Sequence, residues 1–381
     1  MRIFYAADTT PNAVFESKLW RNNLFLPLVE LGHELVEFDY DFGETFNNLD
    51  PADPSQLEFI NKNRPVLTEN LLLQIREAHA HKPLDLFFSY FYDACVLPEA
   101  IDEIRLMGIK TVNWYCNGSY QLHLVREISP RYDWCLVPEK FRLNDYVAMG
   151  ARPIYCQEAA NPSFYKPYDL PLQYDVTFVG QAYGDRPAYI NYLRGQDVDV
   201  RVWGVGWQMF SRTAYFERTP RLTKRLKNTL RRWWQRKVYD PLAKVPIVLP
   251  DYAVGGVLTD EEMVKMYSRS KINIGFSSCG NTHNSTERIL QVRLRDFEVP
   301  MSGGFYMVEE MDELRDFYVF GKEIVCYKSA EDLADKIKYY LTHDNEREAI
   351  RKAGLERCLR DHTWHQRFLS AFNEMGIVIN M

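Results

Sequence analysis

Short apolar runs alternate with helix-spaced stretches along most of the 381-residue chain. Residues 2–6 predict a buried strand, and 15–31 predict a helix through Leu19, Leu24, Leu28 and Leu31. Further strands are predicted at 34–40, 85–92, 109–115 and 134–137, with helices at 98–107 and 139–149. Pro98 opens one of these helices and Gly108 closes it, while Gly150 ends the next. Residues 158–167, with Asn161, Pro162, Ser163 and Pro167, read as a linker. The alternation then restarts, with strands at 174–180, 199–203, 271–276, 305–308 and 323–327. Helices are predicted at 186–194, 260–270, 288–301, 330–341, 345–360 and 363–374. Strand and helix in turn imply parallel sheets covered on both faces. The expected fold is therefore α/β, with two doubly wound halves and a central cleft where such folds take their ligands.

Composition agrees with two globular domains. At roughly 150 residues per domain the length allows about two and a half. Hydrophobic residues make up 46% and charged residues 26%, which excludes global disorder. A net charge of -6 argues against a protein that coats nucleic acid, whose binding rests on neutralising phosphates. No apolar run reaches the ~18–20 residues of a membrane span, and no secretory signal is read at the amino terminus. The 7 cysteines are dispersed without a C-x-x-C pair, as expected of reduced thiols in a cytoplasmic protein. The 8 histidines show no metal-ligand spacing, so no metal is expected.

One segment breaks the rhythm. Residues 218–237 hold nine Lys or Arg and no acid, with Leu222, Leu226, Leu230, Trp233 and Trp234 on one helical face. Two readings stand side by side: a membrane-surface helix on the inner face of an anionic bilayer, or an insertion packed on its own domain.

Three places carry candidate chemistry. The stretch Asp175-Val176-Thr177-Phe178-Val179-Gly180 runs as a strand into a turn containing Tyr183, then into a helix starting at Arg186. Glycine permits close backbone approach, a helix start offers free N–H groups, and Arg186 adds a fixed cation. The second place is the helix at 288–301, where Gln291, Arg295 and Glu298 share one face. The polar loop before it carries His283 and Asn284. The third is Asn113 to His123, a polar stretch after a strand. There is no Walker loop, no G-x-G-x-x-G and no G-x-S-x-G, which removes the ATPase, Rossmann dehydrogenase and serine hydrolase fingerprints.

Taken together, these motifs resemble the GT-B glycosyltransferases of the CgeB-like (spore maturation) family. The likeness rests on Asn161-Pro162, Asp175 to Gly180 with Arg186, and Trp203-Gly204-Val205-Gly206-Trp207. It continues through Lys271-Ile272-Asn273-Ile274, Leu294-Arg295-Asp296-Phe297-Glu298 with Gly303, and His362-Thr363-Trp364 with Arg367. The resemblance implies an acceptor domain at 1–165 and a nucleotide-sugar domain at 166–362 with a basic insertion at 211–250. It also implies a last helix, 363–381, that returns to the first domain.

By that resemblance the co-substrate is a nucleotide-diphosphate sugar, most readily a UDP-sugar, with no cofactor and no metal. Gly180, Tyr183, Arg186, His283, Asn284, Arg295 and Glu298 would hold the donor, Glu298 through the ribose hydroxyls. Arg186 and Arg295 would stabilise the departing diphosphate, and His123 is the candidate base for an inverting route. Two positions depart from the pattern. Leu290 stands where related retaining enzymes carry a glutamate, and Asn117 where an aspartate is expected. The expected activity is transfer to a glycan, lipid-linked or protein acceptor, with retention preferred. A non-catalytic nucleotide- or glycan-binding scaffold and a sugar-nucleotide epimerase are the alternatives.

Overall fold

The computed structural model describes residues 1–7, 17–46, 49–218, 246–280 and 288–377. Most of the basic segment at 218–237, and both His283 and Asn284, lie outside the described residues. The chain forms two compact units. The first holds β1 (Arg2–Ala6), Lys18–Asn161 and the chain from His362 onward, and the second holds Pro162–Asp361.

The first unit is built on a six-stranded sheet in the order β2-β1-β3-β4-β5-β6. Its later strands are β2 (Glu34–Glu37), β3 (Leu86–Ser89), β4 (Lys110–Trp114), β5 (Trp134–Val137) and β6 (Pro153–Tyr155). Every pairing is parallel, with Ile3 opposite both Leu35 and Leu86. Ile3, Phe4, Tyr5, Leu86, Phe87 and Phe88 are all buried, because helices cover both faces and leave no polar alternation.

The last helix, Trp364–Glu374, belongs to this unit. Thr363 and Gln366 close a capping box at its start, which fixes the entry of the returning chain. Trp364 meets Trp114 edge-on at 5.2 Å, and Phe368 meets Phe88 at 6.0 Å. Arg367 Nε donates to the Gln157 carbonyl at 3.1 Å, tying the helix to the chain just after β6.

The second unit carries β7 (Tyr174–Val179), β8 (Val200–Trp203), β9 (Ser270–Ile274), β10 (Tyr306–Glu309) and β11 (Val325–Tyr327). All are parallel, in the order β11-β10-β9-β7-β8. Val176 pairs with Val200 on one side and with Ile272 on the other. The sheet grows outward in both directions from the β7–β9 pair. That pair is the topological switch point, the place where open parallel sheets bind ligands beyond the carboxyl ends of their strands.

Two of the differences from the pattern reading are large. A 25-residue helix, Leu57–His81, fills a stretch that the periodicity left unassigned. It buries Ile60, Leu67, Leu71 and Ile75, and Pro65 inside it interrupts the helical signal. The helix expected at 288–301 begins only at Arg295 and ends at Met301. Upstream, Cys279 N–H donates to Ile289 O at 2.9 Å and Gln291 N–H to Ser277 O at 3.0 Å. The backbone of 288–294 therefore pairs with the chain leaving β9 instead of bonding to itself. The Asp296 carboxylate accepts from Arg293 N–H at 2.8 Å and marks the helix start.

Candidate functional site

The site begins where β7 ends. Gly180 N–H donates to the Trp203 carbonyl at 2.8 Å, and the Gly180 carbonyl accepts from Trp207 Nε1 at 2.7 Å. A Cβ at Gly180 would lie 2.8 Å from Phe178 Cζ and 3.1 Å from an Arg295 terminal nitrogen. Glycine thus lets the Arg295 guanidinium lie against the turn. Gly204, at φ +129°, lies so close to the Gly180 carbonyl that any side chain would collide with it.

Arg186 opens the ten-residue helix Arg186–Gly195, with Pro187 in its first turn. Its side chain folds back over the turn and is 3% exposed. Nη1 donates to the Gln181 carbonyl at 3.0 Å and Nη2 to the Tyr183 hydroxyl at 2.7 Å. The guanidinium lies 3.8 Å from the Tyr183 ring centroid and 5.3 Å from that of Phe178. Burial draws its pKa down to about 9. Tyr183 opposes that shift, and the positive charges of Arg293 and Arg295 add to it. Three guanidinium groups therefore converge at the switch point, a concentration of charge that an anion relieves.

Arg295 approaches from the other side and sits 5.8 Å from the Phe178 ring. The residue as a whole is part-exposed, yet its Nε is sealed from solvent and has no acceptor among the described residues. Burial works against its charge, but Tyr267 and Glu298 more than offset this, so its pKa lies above the ordinary value. Arg293 donates to the Ser278 carbonyl at 2.6 Å.

Glu298 follows one turn into the helix and is 3% exposed. Burial raises its carboxyl to about 7, against the opposing pull of Arg295 and a hydrogen bond from Tyr165. Its Oε1 has no hydrogen-bond partner among the described residues. A buried acceptor without a donor is costly, and a ligand hydroxyl satisfies it.

Of the residues expected from sequence, Gly180, Tyr183, Arg186, Arg295 and Glu298 come together here. Gln291 does not share the helix face. It lies in the extended segment, where its Oε1 faces Cys279 Sγ at 3.1 Å. His123 belongs to the first unit, on a 3-10 turn, its side chain half exposed and paired with Asp50 at 3.3 Å. Arg293, Tyr165 and Tyr267 were not anticipated. The pattern gave no signal for Arg293, whose place beside Arg295 depends on the turn into the helix at Leu294 and on the contact with Ser278. Among the described residues no three His, Cys, Asp or Glu side chains are placed to hold a metal ion.

The arrangement gathers three arginines and a buried carboxyl group at the carboxyl end of a Rossmann-like parallel sheet. Residues 186–372 match the model of a family described as glycosyl transferase-like. The chain is similar in fold to sucrose-phosphate synthase from Thermosynechococcus elongatus, at 12% identity and TM-score 0.59, covering 98% of each chain. It is also similar to Anabaena HepE bound to UDP, at 10% identity and TM-score 0.55, over 99% of this chain and 100% of that one. A glycosyltransferase from Rickettsia africae aligns at 11% identity and TM-score 0.56, over 100% and 99%. No curated protein sequence matches the chain. The fold is GT-B, with two Rossmann-like parallel-sheet units.

Proposed function

We propose that the chain transfers a sugar from a UDP-sugar to a hydroxyl of a glycan, lipid-linked or protein acceptor, as a CgeB-like glycosyltransferase. The observation that carries this reading is the convergence of Arg186, Arg293 and Arg295 at the switch point, beside the orphaned Glu298 Oε1. The guanidinium groups hold the diphosphate and take up its charge as it leaves, the work a metal ion does elsewhere. The Glu298 carboxylate accepts from the ribose hydroxyls. Structures of HepE with UDP and with UDP-glucose fit the same donor class. Transfer proceeds with retention in this reading; His123, the sequence candidate for an inverting base, is half exposed in the first unit and paired with Asp50.

Isothermal titration with UDP, GDP, TDP and ADP, each with and without EDTA, tests the reading. Metal-independent binding of UDP alone is expected, followed by sugar transfer from its glycosylated form. Binding of none by the folded chain overturns it and favours a degenerate scaffold. Interconversion of free nucleotide sugars would instead mark an epimerase.

The segment 218–237 docks this enzyme on an anionic membrane surface. Its nine cations without an acid support this reading, each contributing roughly 1 kcal/mol near such a surface. Among the described residues no helix is long and apolar enough to cross a membrane. Vesicles rich in phosphatidylglycerol should sediment the intact chain at low salt. Replacing Trp233, Trp234, Arg231 and Arg232 with alanine should abolish that. Failure of the intact chain to sediment excludes membrane docking.

A further inference from the structure

The arginine cluster stands among acids. Counting the side chains of the site and its rim, Arg186, Arg288, Arg293 and Arg295 face Asp185, Asp296, Glu298 and Glu309. With four cations against four carboxyl groups, the charge a diphosphate meets depends on where each acid is held. Asp296 is held by Tyr306 at 2.7 Å and by Arg293 N–H, deep in the core. Glu298 lies in the field of Arg295 and takes a hydrogen bond from Tyr165. The remaining two acids share one partner.

That partner is Arg288. One terminal nitrogen pairs with Glu309 at the carboxyl end of β10, and the other reaches Asp185 at 2.7 Å, directly before Arg186. Glu309 is 4% exposed and also accepts from Ser277 N–H at 3.3 Å. Ser277 is followed by Ser278, whose carbonyl takes the Arg293 guanidinium. Burial raises the Glu309 carboxyl and Arg288 opposes that shift, so the pair is coupled in charge as well as position.

We propose that Arg288 is a charge-compensating and positioning residue of the donor site, bridging Asp185 and Glu309 and offsetting part of their negative charge beside the arginine cluster that faces a nucleoside diphosphate. It does not touch the ligand. Without it, the Asp185 carboxylate stands uncompensated beside Arg186. Glu309, buried and unpaired, also loses its hold on the chain that delivers Arg293. The inference rests on the reading of this cluster as a diphosphate site.

UDP and inorganic pyrophosphate, titrated into the full chain, test it. Arg288→Gln should weaken both ligands about tenfold or more, as expected for one uncompensated carboxylate at an effective dielectric of about 20. Uridine, which lacks the diphosphate, should bind as it does to the wild type. Arg288→Gln combined with Asp185→Asn and Glu309→Gln should recover most of the UDP affinity, because both carboxylates that Arg288 holds are removed with it. This variant also keeps the test readable if Arg288→Gln alone folds poorly. A triple variant as weak as the single one overturns the proposal, as does a single variant with unchanged UDP affinity. Loss of UDP and uridine affinity together also overturns it, because that is the mark of general damage. A wild-type chain that binds neither UDP nor pyrophosphate overturns the diphosphate reading itself, which separates the two failures.

Discussion

Arg186→Met is expected to weaken UDP binding by about a hundredfold while leaving uridine binding nearly unchanged. Removing one partner of a buried, hydrogen-bonded charge pair typically costs about 2–5 kcal/mol, and about 3 kcal/mol corresponds to that loss. The free chain should tolerate the change well. Burial draws the Arg186 pKa down to about 9, with added repulsion from Arg293 and Arg295. A cation whose folded pKa lies below its unfolded value costs stability at neutral pH. That cost disappears only above the unfolded pKa, where the group is neutral in both states. Methionine keeps much of the volume against Phe178 and Phe276 and removes the like-charge contact. It gives up the cation–π contact with Tyr183 and two hydrogen bonds.

The thermal midpoint should therefore move little, although affinity collapses. Arg186→Lys should recover only part of the affinity, since an ammonium can neither stack on Tyr183 nor fork between two phosphate oxygens. Titration calorimetry with UDP and uridine, beside a melting curve, reads all of this. A large fall in midpoint with unchanged UDP affinity would make Arg186 a strut of the Tyr183 turn and nothing more.

The same residue shows what could be read from sequence. Arg186 was found because the strand before it is continuous and apolar, and the turn carries its glycine at the strand end. Buried parallel strands announce themselves in this way, and β1, β3, β7 and β10 were all visible as short apolar runs. The helix Leu57–His81 was not, because Pro65 breaks the periodicity that would have revealed its buried face. At 288–294 the apolar spacing fits a helix as well as a strand. Which it becomes depends on Ser277–Cys279, a partner that local pattern cannot supply.

Arg288 and Arg293 were hidden for the same reason. Read as helical, Arg293 points away from the Arg295 and Glu298 face, while Arg288, seven residues before Arg295, falls on it with nothing to tie it to Glu309. Read as extended, they land on Glu309 and Ser278. His123 shows the converse. A histidine after a strand suggests chemistry, yet its ring is spent on an exposed pairing with Asp50.

Glu298→Gln should separate function from stability most sharply. Burial raises the Glu298 carboxyl to about 7, from an unperturbed value of 4.5. The folded chain thus holds a proton that the unfolded chain releases. Its stability is full below the unfolded value and falls as pH rises from about 4.5 through about 7. Above that range the ionised group costs up to about 3 kcal/mol, at 1.36 kcal/mol per unit. Glutamine carries no such cost, so the variant should melt higher than the wild type at pH 8. The difference should vanish towards pH 4.5.

Binding should move the other way. A carboxylate accepts from ribose hydroxyls at both oxygens, whereas an amide offers one acceptor and presents a donor where none is wanted. UDP-glucose is the suitable probe, because its diphosphate does not titrate near neutrality. Wild-type affinity for it should rise as pH passes through about 7, when the carboxyl ionises. The variant should bind about tenfold to a hundredfold more weakly at pH 8, the range for a hydrogen bond to a charged group, without that pH dependence. Sites that trade stability for binding are found where a buried polar group waits for a ligand. A variant that melts lower at pH 8 and binds UDP-glucose as tightly as the wild type would make Glu298 a structural partner of Arg295 and Tyr165. The orphaned Oε1 would then have no role in the donor site.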